Sequence, residues 1–201
     1  MTTRDGDAPA SLAQHKIVGN FGIYLCILAC TTGFTFITTY IPEPDQQSGD
    51  RVTVRGQFAF PSLIMQKDGI TAVVESWTNA DPQVDFHIEI SNQLPEDVLL
   101  DIQKVYVVDQ KGRRLSPTDY REVSFVETPP RHRPLTGSRI IPSGSGTGTI
   151  SVRFDPRQYA SNVLSKWWGW NWHIKRATIH FVVVKQMSGQ PIPFKATFHR
   201  K

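Results

Sequence analysis

A 25-residue apolar run, residues 17–41, constrains this chain more than any other feature. It contains no Asp, Glu, Lys or Arg, whereas the rest of the 201-residue chain is polar and basic. Since a helix rises about 1.5 Å per residue, about 20 residues cross the roughly 30 Å hydrocarbon core of a bilayer. The run therefore predicts a transmembrane helix, which ends before Pro42 and Pro44 because proline does not continue a helix.

Two other interpretations of the apolar run stay open. A cleaved secretory signal would have a shorter apolar core, of about 7–15 residues. A lipoprotein signal is suggested by Ile27-Leu28-Ala29-Cys30, which resembles a lipobox that ends at a lipidated cysteine. Apolar residues continue beyond Cys30 as far as Ile41, however, where a mature lipoprotein normally has a polar tether. We therefore favour a permanent helix.

The charges that flank the run predict its orientation. Arg4 and Lys16 precede it, and no Lys or Arg follows until Arg51. By the positive-inside rule the N-terminus stays cytoplasmic, the helix spans the plasma (inner) membrane once, and the larger domain is periplasmic. Tyr40 suits the outer membrane interface. The expected organisation is a cytoplasmic tail (1–16), a transmembrane helix (17–41), a linker (42–51) and an extracytoplasmic domain (52–201).

The predicted domain is basic. Residues 51–201 hold 20 Lys and Arg against 13 Asp and Glu, a net charge of +7. A basic domain beside a bilayer is expected to meet anionic lipid or an acidic protein partner. Nucleic acid is not an expected partner, because the basic residues are scattered along the sequence and form no stripe or known binding module.

No motif in the sequence supports catalysis, a metal or a cofactor. Both cysteines, Cys26 and Cys30, lie in the apolar run, so the domain has no thiolate ligands or disulfides. The six histidines lack the close paired spacing of a zinc or copper site. The Gly-rich run 143–148 leads into a predicted strand, whereas phosphate-binding loops open a helix. We therefore expect a protein that is not an enzyme.

Apolar residues alternate with polar ones over most of the domain, and this predicts β-strands. The predicted segments are 52–60, 70–77, 84–91, 102–108, 121–127, 149–154, 178–184 and 192–198. Short strands separated by turn signals indicate a mainly β fold, an immunoglobulin-like antiparallel β-sandwich. The stretch 86–109 and the Gly-rich turn and strand at 143–155 resemble bacterial immunoglobulin-like surface domains in architecture. That resemblance covers about half of the domain and assigns no family.

One short helix is predicted after the strand that ends at Phe154. Asp155 is a suitable N-cap, and Pro156 suits the first helical position because its missing N–H has no partner there. Tyr159, Val163 and Trp167 then fall on one face of the helix, together with Trp170.

The apolar run also carries a ridge of small residues. Gly22, Cys26 and Cys30 repeat at four-residue spacing, and Gly33 adds a further small side chain nearby. Small residues allow helix backbones to approach closely in lipid. We therefore predict a packing face for another transmembrane subunit, although small residues are also common in membrane helices generally.

Four of the five tryptophans lie within six residues, Trp167 to Trp172. Consecutive side chains cannot all point into a core, and tryptophan favours membrane interfaces. Nearby cations can meet lipid phosphates. The predicted docking surface for membrane or partner is Lys166, Trp167, Trp168, Trp170, Trp172, Lys175 and Arg176. Two alternatives stay open: a partly exposed core segment and a ligand platform.

The combined features predict a single-pass accessory, scaffolding or assembly subunit of a larger membrane complex. Its expected partners are membrane lipid and other transmembrane subunits. The alternative is a membrane-tethered binding module that recognises a sugar, lipid or peptide through the tryptophan cluster.

Overall fold

The computed structural model of the chain describes residues 38–43, 49, 51–56, 61–78, 82–124, 131–134, 137–160 and 173–201. Most of the apolar run and the tryptophan-rich segment lie outside these residues. Among the residues that the structure describes, none forms a helix long and apolar enough to span a bilayer.

The described part of the chain is mainly β, and every pair of neighbouring strands is antiparallel. Its strands are β1 (Thr38–Pro42), β2 (Arg51–Arg55), β3 (Ser62–Lys67), β4 (Ile70–Thr78), β5 (Val84–Asn92), β6 (Val98–Leu100), β7 (Tyr106–Asp109), β8 (Arg114–Leu115), β9 (Asp119–Ser124), β10 (Arg131–Pro134), β11 (Arg139–Ile141), β12 (Gly146–Phe154), β13 (Arg176–Lys185) and β14 (Pro191–Arg200). Two 3₁₀ helices, Ile102–Lys104 and Pro156–Tyr159, interrupt them.

The strands form one curled sheet in which β1 connects two halves. Thr38 and Thr39 pair with β4, whereas Tyr40 to Pro42 pair with β14. One half runs β10-β9-β12-β5-β4, with β3 and β2 beyond it. The other half runs β14-β13, and β13 then pairs with both β6 and β7 along its far edge. The sheet therefore curls about β1.

Alternate side chains of both halves fill a common core. On β4 and β5, Ile70, Val74, Ile88 and their neighbours at two-residue spacing are buried. The ring of Phe86 on β5 contacts that of Phe198 on β14, with the centroids 5.6 Å apart. Because these strands belong to different halves, the contact shows that the halves face each other across the core.

The structure confirms the predicted mainly β character. Strands cover the predicted segments at 70–77, 84–91, 149–154, 178–184 and 192–198. The segment 102–108 differs, because its first residues form a 3₁₀ helix. Asp101 Oδ1 accepts a hydrogen bond from the Gln103 backbone N–H at 3.1 Å, which caps that helix and delays the strand to Tyr106.

The structure differs from the sequence-based bounds of the transmembrane helix and linker. Residues 38–41, expected at the end of the helix, belong to β1, as does Pro42. Tyr40, expected at the membrane interface, is fully buried, and its hydroxyl donates to the Ile174 carbonyl at 3.0 Å. Apolar residues suit a protein core as well as a bilayer, so hydrophobicity did not reveal this boundary. The first described strand, β1, begins at Thr38.

The structure describes only the start of the short helix that was predicted after β12. Asp155 caps it by accepting from the Arg157 N–H at 2.9 Å, and Pro156 occupies its start as predicted. The 3₁₀ helix ends at Tyr159, because Ala160 adopts an extended backbone. A continuous helix from Pro156 is therefore interrupted at Ala160. Residues 161–172, which carry Val163, Trp167 and Trp170, lie outside the described part, so their predicted common face stays a prediction.

Candidate functional site

One end of the curled sheet, the β1 pole, brings together three stretches that are distant in sequence. These are Thr38–Thr39, His173–Arg176 and the C-terminal residues Arg200 and Lys201. The Lys201 N–H donates to the Thr39 carbonyl at 3.1 Å, and the Arg200 N–H donates to the Lys175 carbonyl at 2.8 Å. The start of β1, the start of β13 and the end of β14 therefore lie side by side.

Strand register places the end of β12 at the same pole. Thr38 on β1 pairs with Thr78 at the end of β4. Beside β4 lies the start of β5, where Val84 pairs with Phe154 at the end of β12. Asp155, which follows β12, accepts a hydrogen bond from Gln83 Nε2 at 3.2 Å. Segment 161–172 begins after the 3₁₀ helix that follows β12, and it ends before His173. The strand that precedes the tryptophan-rich segment therefore ends at the β1 pole, and the residue that follows the segment lies at the same pole.

Arg176 is held by an ion pair with Glu43. Its Nη2 lies 2.6 Å from Glu43 Oε2, and its Nε donates to Glu43 Oε1 at 3.0 Å. His199 Nδ1 lies 3.7 Å from the same carboxylate. Arg176 was predicted to meet lipid or a partner, but its guanidinium joins β13 to the residue that follows β1. The ion pair thus gives Arg176 a structural contact, and its docking role stays a prediction.

Lys175 differs from Arg176, because its side chain is exposed. Its backbone is fixed by Gln110, whose Oε1 accepts from the Lys175 N–H at 3.1 Å. Gln110 Nε2 also donates to the His173 carbonyl at 3.0 Å. Arg200 Nη1 lies 3.0 Å from His173 Nδ1. The pole thus presents the Lys175 ammonium to solvent on a fixed backbone.

Sequence reasoning missed the residues that build this pole. Glu43 was assigned to a linker, and nothing in the sequence singles out Gln110, which acts across 65 residues. Buried Asp109 orients Gln110, because it holds the turn by accepting from the Lys111 and Arg113 N–H groups at 2.8 and 2.9 Å. The sequence indicated only that residues 109–112, Asp-Gln-Lys-Gly, form a turn.

Of the residues predicted for docking, only Lys175 and Arg176 belong to the part that the structure describes. The others lie outside it: the ridge residues Gly22, Cys26, Cys30 and Gly33, and the segment residues Lys166, Trp167, Trp168, Trp170 and Trp172. Their predicted roles stay predictions.

Replacing Arg176 by Gln is expected to destabilise the domain by about 0.5–1 kcal/mol, because the ion pair with Glu43 is partly solvent-exposed. Urea unfolding of Glu43→Gln, Arg176→Gln and the double variant measures the coupling between the two groups. Lys175→Gln is the matched control and is expected to change the free energy of unfolding by less than about 0.5 kcal/mol. A coupling of zero would contradict a structural role for Arg176.

A shallow pocket of about 100 Å³ lies on the outer face of β4, β5, β12 and β9. Arg153 pairs with Asp85 through contacts of 2.7 and 3.1 Å, and Arg121 pairs with Asp119 at 2.7 Å. The hydrogen bond with Asp85 raises the pKa of Arg153 above its ordinary value. Pockets for organic ligands are usually about 300–1,000 Å³. This pocket is smaller, and its charges compensate each other.

Two histidines, His87 and His180, stack on aromatic rings in different halves of the sheet. His87 stacks on Trp77 with the ring centroids 4.7 Å apart, and His180 stacks on Tyr106 at 4.6 Å. Within the described ranges, no three His, Cys, Asp or Glu side chains come together in a group that could hold a metal ion.

Comparisons of the chain with protein-family models, with curated proteins and with solved structures found no match.

Proposed function

We propose that this protein is a single-pass, membrane-anchored accessory or scaffolding subunit of a larger membrane complex. The observation that carries the proposal is the β1 pole. There the start of β1 lies at the same end of the sheet as the end of β12, which precedes the tryptophan-rich segment, and the start of β13, which follows it. Residue 38 directly follows the apolar run in the sequence. A domain anchored through that run would hold this pole within a few residues of the bilayer.

The remaining apolar run is still long enough for this role. With residues 38–41 in β1, residues 17–37 are left, which is 21 residues. About 20 residues span a bilayer core. The tryptophans of segment 167–172 would then lie at interfacial depth, where indole rings are favoured, beside the exposed ammonium of Lys175.

The domain would act as a rigid platform that projects from the membrane. Its halves face each other across one core, and β1 changes partner between them. This arrangement supports the finer proposal of an immunoglobulin-like sandwich. By the charges that flank the apolar run, the sandwich would lie on the periplasmic side of the inner membrane. The N-terminus would be cytoplasmic.

Purification of the full chain in mild detergent, with mass spectrometry of the proteins that co-elute, tests the proposal. We expect a transmembrane partner to co-elute with the wild type. The variant Gly22→Leu/Cys26→Leu is expected to lower its yield about tenfold, because larger side chains separate the helices. Leu28→Ile, which would lie on the opposite side of the proposed helix, is the matched control and is expected to retain the partner.

A second variant tests docking by the pole. Replacing Trp167, Trp168, Trp170 and Trp172 by Ser is expected to weaken co-elution while the apolar run stays intact. A wild-type protein that elutes alone as a monomer would overturn the subunit proposal. Quenching of tryptophan fluorescence by a sugar, lipid or peptide in that monomer would instead favour a tethered binding module.

A further inference from the structure

A row of four side chains crosses the outer face of the half-sheet that contains β13. This cationic row consists of Arg114 on β8, Tyr106 on β7, His180 on β13 and Lys195 on β14. His180 is the register partner of both Tyr106 and Lys195. Because β7 lies between β8 and β13, the Tyr106 ring is covered by Arg114 on one side and by His180 on the other.

Stacking fixes the groups of the cationic row. The rings of Tyr106 and His180 are nearly parallel, at 4°, with the centroids 4.6 Å apart. The guanidinium carbon of Arg114 lies 3.8 Å from the Tyr106 ring centroid. A guanidinium that stacks by its face keeps its N–H edge available for acceptors. Less side-chain freedom is then lost when an anion binds.

The row carries positive charge that no described carboxylate neutralises. Six arginines elsewhere in the described part pair with acids, namely Arg113, Arg121, Arg139, Arg153, Arg157 and Arg176. Within the same residues, neither Arg114 nor Lys195 forms an ion pair. Burial, together with the charges of Lys195 and Arg114, lowers the pKa of His180. Both charges that act on His180 are thus positive.

We propose that the cationic row binds an acidic, extended segment of a protein partner. The strands that carry Arg114 and Lys195 are three inter-strand spacings apart, about 14 Å. Carboxylates four residues apart in an extended segment are separated by about 13 Å and so match that span. A single small anion reaches only part of it.

The shape of the row favours a narrow chain over a flat lipid surface. Tyr106, His180 and Lys195 are half-buried, and Arg114 alone is well exposed. The row also lies four residues along β13 from Arg176, about 13 Å from the β1 pole. It lies on a side face, so the proposal stands whether or not the domain is anchored in a membrane.

Fluorescence anisotropy with the full chain in neutral detergent micelles tests the proposal. The probe is a short fluorescein-labelled peptide of alternating Asp and Val, and the same peptide with Asn for Asp is the uncharged control. We expect Arg114→Gln/Lys195→Gln to weaken binding of the acidic peptide about fivefold to tenfold. The control variant Arg51→Gln/Arg55→Gln removes the same charge from the exposed strand β2. It is expected to weaken binding of the acidic peptide only about 1.5-fold.

His180 supplies a second readout. The charged and titratable groups around it are Tyr106, Arg114 and Lys195, from three other strands. A bound carboxylate favours the imidazolium, so affinity is expected to rise as the pH falls from about 7 to about 5, where Asp stays ionised. His180→Gln is expected to abolish this rise and to keep binding at about pH 7.

Several results would overturn the proposal. One is failure of the acidic peptide to bind the wild type. Another is equal weakening by the β2 variant, which would show a response to net charge alone. Inorganic phosphate that binds as tightly as the peptide would make the row a small-anion site. Phosphatidylglycerol vesicles that bind through Arg114 and Lys195 when the peptide does not would make it a lipid site.

Discussion

Replacing Tyr40 by Ala is expected to destabilise the domain by about 3–5 kcal/mol, the range for removing a large buried ring. Tyr40 is fully buried, and its hydroxyl donates to the Ile174 carbonyl at 3.0 Å. The substitution opens a cavity where β1 connects the two halves of the sheet. With a slope of about 2 kcal/mol per molar urea, the unfolding midpoint is expected to fall by about 2 M.

Tyr40→Phe is the matched variant, because it keeps the ring and removes only the hydroxyl. It is expected to cost about 1 kcal/mol. Urea titrations of the full chain in neutral detergent, followed by tryptophan fluorescence, measure both changes. A midpoint for Tyr40→Ala that equals the wild-type value would place residues 38–41 outside the folded domain. The predicted transmembrane helix would then keep its full length, residues 17–41.

Replacing Asn92 by Ala is expected to destabilise the domain by about 2–4 kcal/mol. Asn92 is fully buried, and its Nδ2 lies 2.9, 3.3 and 3.0 Å from the carbonyls of Glu96, Ile141 and Pro142. Its Oδ1 accepts from the Leu94 N–H at 3.0 Å. Without the amide, these buried polar groups lose their partner.

Ser91→Ala is the control for Asn92→Ala. Ser91 is the neighbour of Asn92 on β5, but it lies on the outer face and is half-buried. We expect its substitution to change the free energy of unfolding by less than about 0.5 kcal/mol. Equal midpoints for the two variants in the same urea titration would contradict the role of Asn92 in joining loop 93–97 to the turn after β11.

Strand positions were predictable where one face of a strand is buried. The alternation at 84–91 and 192–198 follows from the two-residue period of a strand with a core on one side. Asp85 was the exception within β5, because it is buried although it was expected to face solvent. Its partner is Arg153, 68 residues away in the sequence, so no local pattern contained the ion pair.

The candidate site was less predictable than the strands. Lys175 and Arg176 were both expected to dock; the side chain of Lys175 is exposed, whereas that of Arg176 is 42% exposed and pairs with Glu43. Arg176 pairs with Glu43, which precedes it by 133 residues. Two adjacent cations look alike in a sequence, and their roles separate only when the fold brings a carboxylate to one of them.

The sequence by itself determined the mainly β character, the absence of disulfides in the domain and the presence of an uninterrupted apolar run. These properties depend on composition and short-range periodicity, which the chain carries locally. Only the tertiary structure decided that residues 38–42 form a strand, that Tyr40 belongs to the core and that His173, which follows the tryptophan-rich segment, lies at the β1 pole. The physical reason is that burial and charge pairing depend on neighbours that strand register brings together from distant parts of the chain.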